Sequence, residues 1–444
     1  MTADRATDAA AVEERLQRTI ASVFGVDADG LTDESSPATI PSWDSLNHLN
    51  LVMAIEEEFG ISLTPDEAAE MRDVGQVRAV LQRSGVSVGV KLTVVDCQPH
   101  QISDLREFFA RSYGPGYRLA TDEALLRWQY GPTPASPELP GHLKLALLDG
   151  RIVGCLGYIP VEVSLDSGIF SGAWVANWMT DPDQRGLGLG PILMREVTRQ
   201  FDVALDLGAN AEALDLLSRM GWSDLGDLPR YVCVLDQAQA ARLTATGRLV
   251  WPAPPPAGGP RSDVRRVKLF DAGATTLWDR TWGVKSAGGT RRSAEFLNWR
   301  YAGHPVFQYR LFEEHRNGRL AGLAVYHVEE VRDLPVRVGR LVELITEPGP
   351  DGSLLNGVVS DARSMGVAVM DFFCASQRMA GLLARNGFLP AETEPEARIP
   401  LLFQPLDRRR AGIRFMHNLG SAAEAGQVRD WYVTKSDGDQ DRPN

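Results

Sequence analysis

The sequence predicts a multidomain protein, with an N-terminal all-α bundle of four helices followed by two α/β domains. Apolar residues recur near the helical spacing of 3.6 as far as Gly85, and from Leu92 short β-type runs mix with helical ones. Two motifs then recur. LRWQYG at Leu126–Gly131 is echoed by LNWRYA at Leu297–Ala302, and LSRMGW at Leu217–Trp222 is echoed by LARNGF at Leu383–Phe388. The two echoes follow at nearly equal offsets, which predicts a duplicated domain.

Length and composition narrow the protein class. A chain of 444 residues corresponds to roughly two to four domains. The sequence has no run of 18 apolar residues and its N-terminus is acidic, so we expect neither a membrane span nor a signal peptide. The cysteines lie far apart without CxxC spacing, which predicts no metal site and no disulfide framework and favours a cytoplasmic protein. They are Cys97, Cys155, Cys233 and Cys374.

The net charge of −12 is concentrated at the N-terminus. Residues 1–90 contain sixteen Asp and Glu residues against six basic residues, so the rest of the chain is nearly neutral. This distribution argues against nucleic-acid binding and predicts that the acidic unit meets basic partner surfaces.

Within the N-terminal bundle, helices are predicted over 10–24, over 45–59, from Thr64 onward and over Val74–Arg83. Asp44 or Ser42 can cap the second helix. Its predicted apolar face consists of Leu46, Leu49, Val52, Ile55 and Phe59. A hinge is predicted over 85–89.

The α/β part begins at residue 92. Residues 143–163 predict two strands joined by the type I′ turn signal Asp149-Gly150. A strand over 172–180 and a helix over 190–201 follow. A Pro/Gly-rich linker is predicted over 251–262. These signals give three domains, at 1–86, 92–250 and 262–444.

A glycine-rich stretch lies between the predicted strand and helix, at Met179–Gly190 (MTDPDQRGLGLG). Its glycines allow close approach of backbone N–H groups to a ligand, and the following helix adds free N–H donors and a positive dipole end. This predicts an anion cradle suited to a pyrophosphate. The spacing fits neither a dinucleotide-binding loop nor a P-loop, and a simple glycine-rich turn is the alternative.

This stretch resembles the coenzyme A loop of GNAT-fold acyltransferases, and the resemblance covers about 143–235 well. It implies a mixed, twisted sheet flanked by helices in each α/β domain, with acyl-CoA as substrate. By resemblance, the pyrophosphate would bind at Gln184, Arg185, Gly186, Leu187, Gly188, Leu189 and Gly190. Trp178, Met179 and Thr180 would pair with the pantetheine amides, and Asn210 belongs to the same family pattern. In the second repeat the matching stretch Thr346–Leu354 has lost the arginine and gained acidic residues. It therefore resembles a degenerate GNAT domain.

The catalytic groups depart from the family pattern. The strand that often carries a glutamate base is GAWVANW here, and leucines occupy the region where a tyrosine is frequent. Asn177 could hold a water, and Glu162 or Asp181 could act as base. For each of the three residues a solvated or structural role is the alternative, and proximity alone can supply much of the rate with a reactive thioester.

The acidic bundle resembles an acyl carrier protein over about 10–85. Asp44-Ser45-Leu46 stands where that family carries covalent 4′-phosphopantetheine, at the positive end of a helix. Glu56, Glu57 and Glu58 extend the acidic surface. The alternative is that Ser45 merely caps the helix.

Together these resemblances imply an acyltransferase that moves an acyl group between a thioester and a small-molecule amine, in secondary-metabolite or polysaccharide biosynthesis. The expected partners are a phosphopantetheinyl transferase and an acyl-CoA or acyl donor enzyme, with no membrane. Two alternatives stay open: loading of the Ser45 arm, with or without decarboxylation, and an inactive GNAT pair that serves as a scaffold. The acidic tail Asp437–Asp441 is expected to be solvated rather than to bind calcium, and Trp431 and Tyr432 to tether the C-terminus.

Overall fold

A computed structural model gives the structure of the chain. It describes residues 2–84, 92–138, 141–166, 168–184, 187–252, 263–283, 287–332, 334–348, 352–391, 399–403, 406–407, 412–420, 422 and 430–442, without the side chains of 2–11, 402 and 403. The predicted hinge at 85–89, most of the predicted linker and two residues of the predicted coenzyme A loop, Arg185 and Gly186, lie outside the described residues. Contacts divide the chain into two compact units, Met1–Val94 with Ala146–Val153, and Val95–Leu145 with Gly154–Asn444.

The N-terminal region contains four helices, α1 Thr2–Phe24, α2 Ser45–Phe59, α3 Pro65–Glu70 and α4 Val74–Arg83. The predicted bounds of α2 and α4 are confirmed. Asp44 caps α2, because its side chain accepts the backbone N–H of Asn47 at 2.8 Å. Thr64 and Glu67 form a capping box at the start of α3.

Helices α1, α2 and α4 share one apolar cluster, which includes Leu16, Ile20, Leu51, Ile55, Val77 and Leu81. The predicted apolar face of α2 is wrong at its N-terminal end. Leu46 is 68% exposed and Leu49 is 60% exposed, while Leu51 is fully buried. Helical spacing places Leu46 and Leu49 on one face but does not decide whether another element covers that face.

From residue 92 onward the chain forms strands mixed with helices. The strands up to residue 234 are β1 Leu92–Asp96, β2 Leu143–Leu148, β3 Arg151–Leu165, β4 Gly168–Thr180, β5 Val203–Leu207, β6 Ser223–Asp227 and β7 Arg230–Val234. The helices are α5 Ile102–Tyr113, α6 Arg118–Thr121, α7 Glu123–Gln129, α8 Leu189–Thr198, α9 Ala211–Arg219 and α10 Gln237–Ala241.

The remaining strands are β8 Asp263–Val267, β9 Ala287–Thr290, β10 Arg310–Arg316, β11 Arg319–Glu330, β12 Arg337–Thr346, β13 Val367–Phe373, β14 Leu389–Pro390, β15 Leu402–Phe403, β16 Leu406–Asp407, β17 Arg414–Asn418 and β18 Asp430–Trp431. The helices are α11 Ala272–Thr281, α12 Ala294–Leu297 with a π-helical turn at Asn298–Ala302, α13 Ser353–Ser364 and α14 Ala380–Arg385.

Two mixed sheets form the α/β part. The first has the order β1-β2-β3-β4-β5-β17-β6, with β9 beside β3 and β18 beside β9. The second has the order β14-β7-β13-β12-β11-β10-β8. Each sheet contains a strand from the other half of the chain, since β17 lies between β5 and β6 while β7 lies between β13 and β14. Neither sheet can therefore be completed without the other half.

The predicted hairpin is confirmed as β2 and β3, and both turn residues, Asp149 and Gly150, have positive φ as a type I′ turn requires. The predicted strand and helix after it correspond to β4 and α8. No described helix has the length and apolar character to cross a membrane.

The expected solvated tail is wrong. Asp437, Asp439 and Asp441 are each 6% exposed or less. Their charges have partners: Arg292 donates to Asp437 at 2.6 Å and Arg442 donates to Asp439 at 2.6 Å. The tail is thus an internal segment of the folded protein, and Trp431 and Tyr432 are buried with it, as predicted.

Candidate functional site

The first sheet opens between β4 and β5. Their parallel register runs from Gly172 opposite Val203 to Val175 opposite Asp206 and ends there, although β4 continues to Thr180. We call this separation the fork. Beyond it, the β4 edge that faces β5 keeps backbone groups that strand pairing does not use, and these groups can bind an extended ligand.

Asn177 lies on β4 just beyond the fork. Its φ of 51° is left-handed, and the β3–β4 register shifts beside it, so the strand has a bulge at this point. Its side-chain amide is 8% exposed and lies between two tyrosines. Tyr130 donates to Asn177 Oδ1, and Asn177 Nδ2 donates to Tyr117 Oη. The predicted candidate Asn177 is therefore held rigidly at the fork.

Tyr117 and Tyr130 are functional candidates that the sequence analysis missed. Tyr130 is buried and lies over Gly157 of β3, where a Cβ would come within 2.3 Å of the tyrosine ring. Burial raises the pKa of Tyr117 to about 12 and that of Tyr130 well above its usual value. Both hydroxyls are thus neutral hydrogen-bond groups at neutral pH.

An apolar cavity of about 490 Å³ adjoins this part of the domain, and Tyr130 forms part of its wall together with Cys97, Leu126 and Leu143. Tyr130 therefore contributes its hydroxyl to the fork and its ring to this cavity. A cavity of this character suits an apolar group of a substrate.

A partly buried carboxylate also lies at the fork. Asp206 is the last residue of β5 that pairs with β4, and burial, followed by the negative charge of Asp439, raises its pKa from 3.8 to about 7. Its side chain accepts the backbone N–H of Ala209 at 3.2 Å. Asp206 is not among the residues predicted from the sequence, where its signal is weak: one acid in the otherwise apolar strand VALDL.

The predicted coenzyme A loop follows β4. Asp181 accepts the N–H of Asp183 at 3.0 Å and so begins a 3₁₀ turn over Pro182–Gln184. Gly188 is left-handed, with φ 69°, immediately before α8 starts at Leu189. At Gly190 a Cβ would lie 3.2 Å from the Trp178 ring, so glycine allows this indole to pack on the first turn of α8.

Other predicted residues occupy different positions. Met179 and Thr180 pair with Cys155 and Gly154 of β3, which leaves their opposite edge beyond the fork. Asn210 caps α9 by accepting the N–H of Ala213 at 2.8 Å.

The two acids proposed as bases have structural partners. Glu162 forms an ion pair with Arg291 at 3.1 Å and lies five positions along β3 from Gly157, about 17 Å away at the strand spacing. The structure does not bring Glu162 together with Asn177. Asp181 shapes the turn beyond the end of β4.

Ser45 is the first residue of α2 and is exposed. Because Asp44 caps the helix, the alternative that Ser45 is itself the cap is wrong. Two exposed apolar residues follow it one and two helical turns later, Leu49 at 60% and Met53 at 66%.

The second repeat has a cavity of about 600 Å³ where its own β12 meets α13. The acidic residue Glu347 in this region does not act alone, because Arg280 and Arg319 pair with it at 2.5 Å and 2.9 Å.

Residues 103–223 match the model of the acetyltransferase (GNAT) domain family. That region contains the fork, Asn177, both tyrosines and the loop before α8. The match spans about a quarter of the chain and indicates a GNAT acetyltransferase domain in this region, which supports N-acyltransferase activity.

Solved structures resemble the chain at low sequence identity. A GCN5-related N-acetyltransferase from Anabaena variabilis shares 13% identity over 74% of this chain and 73% of its own, with a TM-score of 0.50. A GCN5-related N-acetyltransferase from Kribbella flavida shares 16% identity over 76% of this chain and 73% of its own, with a TM-score of 0.47. N-myristoyltransferase from Saccharomyces cerevisiae with bound myristoyl-CoA shares 11% identity over 74% of this chain and 82% of its own, with a TM-score of 0.47. The Anabaena protein resembles this chain in fold, and the other two similarities carry no further conclusion.

Proposed function

We propose that the GNAT domain, residues 92–250, transfers an acyl group from a thioester to a small-molecule amine. The observation that carries this proposal is the fork, the separation of β4 from β5. Beyond it, β4 continues without pairing to β5 and leads into the loop that contains the left-handed Gly188. The β4 edge provides backbone groups for an extended pantetheine chain. The start of α8 provides N–H donors and a positive dipole end for a pyrophosphate.

In this proposal Trp178, Met179 and Thr180 pair through their backbone with the pantetheine amides of acyl-CoA. The loop from Gln184 to Gly190 binds the pyrophosphate, and Arg185 adds a positive charge. The reacting carbonyl then lies near Asn177, where a backbone N–H of the bulge polarises it. The apolar cavity beside Tyr130 is the candidate place for an acyl chain longer than acetyl.

We further propose that residues 1–86 form an acyl carrier unit with 4′-phosphopantetheine on Ser45. Support comes from an exposed serine that is not used as a cap, at the positive end of a 15-residue helix. The exposed side chains of Leu46, Leu49 and Met53 give that helix an apolar stripe without an intramolecular role in the bundle. A phosphopantetheinyl transferase would be the partner that modifies it.

Residues 262–444 are proposed to be a second, degenerate GNAT domain. Two features support this: β12 and β13 are a parallel pair, as are β4 and β5, and the two halves exchange strands β7 and β17 in equivalent sheet positions. In addition, the echoed motifs contact each other, since the rings of Trp128 and Trp299 stack at 5.2 Å. The proposed role of this domain is to complete the first sheet and to supply the buried tail.

The second candidate function is loading, in which the acyl group passes from acyl-CoA to the thiol of the Ser45 arm. The exposed position of Ser45 favours it. In this case the thiol replaces the amine as nucleophile.

The test combines binding and transfer. Calorimetry measures acetyl-CoA binding to wild type, Arg185→Glu and the control Arg195→Glu, which makes the same charge change in the second half of α8. We expect loss of binding only in Arg185→Glu. Acyl transfer is then measured as CoA release from acetyl-, butyryl- and octanoyl-CoA with a panel of primary amines. Absence of both binding and transfer in wild type would contradict the proposal and leave the inactive scaffold.

A further inference from the structure

Asp206 has an unusual position for a carboxylate. It lies in a strand whose other members, Val203, Ala204, Leu205 and Leu207, are all buried. It is opposite Val175 at the last paired position before the fork, so it stands where the strands separate. A single backbone N–H, that of Ala209, is the described donor to its side chain.

The C-terminal tail brings a second carboxylate to this place. Arg300 fixes the tail backbone by donating to the carbonyl oxygens of Ser436 and Gly438 at 3.0 Å and 3.1 Å. Gln440 packs directly over Gly208, where a Cβ would come within 2.6 Å of the glutamine side chain. Asp439 is held between these two attachments, and it is the tail acid that interacts electrostatically with Asp206.

The groups that face this carboxylate pair come from several elements. Arg442 donates to Asp439 at 2.6 Å. Tyr113 of α5, together with Tyr117 and Tyr130, also interacts with Asp439. Burial is the main cause that raises the pKa of all three hydroxyls, and at Tyr117 the charge of Arg442 opposes this shift. Arg442 therefore balances the charge of Asp439, and the surrounding tyrosine hydroxyls are neutral. Asp206 has no cation partner among the described residues.

We propose that Asp206 is the catalytic base that accepts the amine proton in the acyl transfer, and that Asp439 is a positioning residue that tunes it. This inference rests on the proposed function. The amine nitrogen attacks the thioester carbonyl carbon, so that a C–N bond forms and the C–S bond breaks. One N–H proton passes to the Asp206 carboxylate and from there to the thiolate sulfur. The products are an amide and a free thiol, and Asp206 is again ionised.

The ordinary pKa of an aspartate is too low for a base that works near neutral pH, and the surroundings of Asp206 raise it. A base works best when its pKa lies near the working pH, and Asp206 reaches about 7. The predicted candidates Glu162 and Asp181 have structural roles instead, because Glu162 is paired with Arg291 and Asp181 holds a turn.

The experiment measures kcat/KM against pH, from pH 5 to 9, with the acyl-CoA and amine found active above. Wild type is expected to gain activity as pH rises through about 7. Asp206→Asn should lower kcat/KM by about 100- to 10,000-fold and remove this rise. Asp439→Asn should keep activity but move the rise to lower pH by about one to three units, because it removes a neighbouring negative charge.

The matched control is Asp202→Asn, a change just before the opposite end of β5, where Asp202 accepts from Ser171 at 2.7 Å. It should leave the pH profile of wild type unchanged. Transfer by Asp206→Asn at the wild-type rate, or an unchanged pH rise in that variant, would overturn this inference while the proposed function stands. Absence of transfer in wild type would overturn both.

An independent readout does not require a substrate. Carbon-13 NMR of the full chain labelled at aspartate carboxyls should contain one resonance that titrates near pH 7, is absent in Asp206→Asn and titrates at lower pH in Asp439→Asn. Titration of every aspartate below about pH 5 would contradict the proposed environment.

Discussion

The side-chain amide of Asn177 joins two tyrosines, because Tyr130 donates to its oxygen and its nitrogen donates to Tyr117. These three side chains come from β4, from the end of α7 and from the start of α6. They therefore fix the position of the bulge in β4 relative to the helices that cover it. A left-handed φ at a non-glycine residue is tolerated best by asparagine, so backbone and side chain require the same residue here.

The first prediction concerns Asn177. Asn177→Ala should destabilise the domain by about 2–4 kcal/mol, since it removes the acceptor of the buried Tyr130 hydroxyl and the donor to Tyr117, and places alanine at a left-handed φ. Urea unfolding measures this change. Asn177→Asp keeps an acceptor for Tyr130 but cannot donate to Tyr117 when ionised. Its free energy of unfolding should therefore lie between those of wild type and Asn177→Ala. An Asn177→Ala variant as stable as wild type would contradict the assigned role.

The second prediction concerns the loop before α8. Gly188→Val should cost about 1–2 kcal/mol, because an L-residue with a β-branch is strained at a φ of 69°. It should also weaken acetyl-CoA binding measured by calorimetry. Gly188→Asn is the control, since asparagine adopts this conformation more readily, and it should retain most of the affinity. Equal affinities for the two variants would exclude the left-handed turn from the binding site.

The third prediction concerns the buried tail. Arg292 is 1% exposed and pairs with both Glu343, at 3.0 Å, and Asp437, at 2.6 Å. Arg292→Met should lower the free energy of unfolding by about 3–5 kcal/mol, because it leaves two buried carboxylates without their cation. Guanidinium unfolding measures this change. The exposed pair Arg219–Asp215 supplies the control, since Arg219→Met should change stability by less than about 1 kcal/mol. Similar effects for both variants would contradict a buried tail.

The fourth prediction uses the sign of the Asp206 shift. Burial and Asp439 raise its folded-state pKa from 3.8 to about 7, so the folded protein binds this proton more tightly than the unfolded chain does. The stability contribution of this proton is present below pH 3.8 and is lost as pH rises to about 7. The melting temperature of Asp206→Asn should therefore increase relative to wild type across this window and stay constant above it. Parallel curves for the two proteins would contradict the raised value.

The fifth prediction concerns the exposed stripe of α2. Replacing Leu49 and Met53 by serine should change bundle stability by no more than about 0.5 kcal/mol for each substitution, because both side chains are exposed. The fully buried Leu51 is the contrast, and Leu51→Ala should cost about 2–5 kcal/mol. If the stripe serves carrier partners, the serine variants should be modified more slowly by a phosphopantetheinyl transferase. Equal modification rates would separate the stripe from that role.

Local sequence signals were sufficient for much of the fold. The bounds of α2 follow from the cap at Asp44 and the glycine after Phe59, and the β2–β3 hairpin follows from Asp149-Gly150. The glycine-rich loop also stands where the sequence placed it, between a strand and a helix. Each of these features depends on neighbours in the chain.

The missed features depend on residues far apart. Asp437 is buried because Arg292, 145 positions earlier, neutralises it. The role of Asp206 depends on a tail at the far end of the chain, and Leu46 is exposed because no described element of the bundle covers it. Tyr117 and Tyr130 look like ordinary aromatic residues until the bulge at Asn177 brings them together.

The most direct test of the account is the intact mass of the full chain after treatment with a promiscuous phosphopantetheinyl transferase and CoA, then acetyl-CoA and an amine. Wild type should gain one phosphopantetheine, Ser45→Ala should gain none, and the control Ser84→Ala should behave as wild type. Acetylated amine should form with wild type and not with Arg185→Glu. A mass gain that persists in Ser45→Ala, or amine acetylation that is unchanged in Arg185→Glu, would contradict the account.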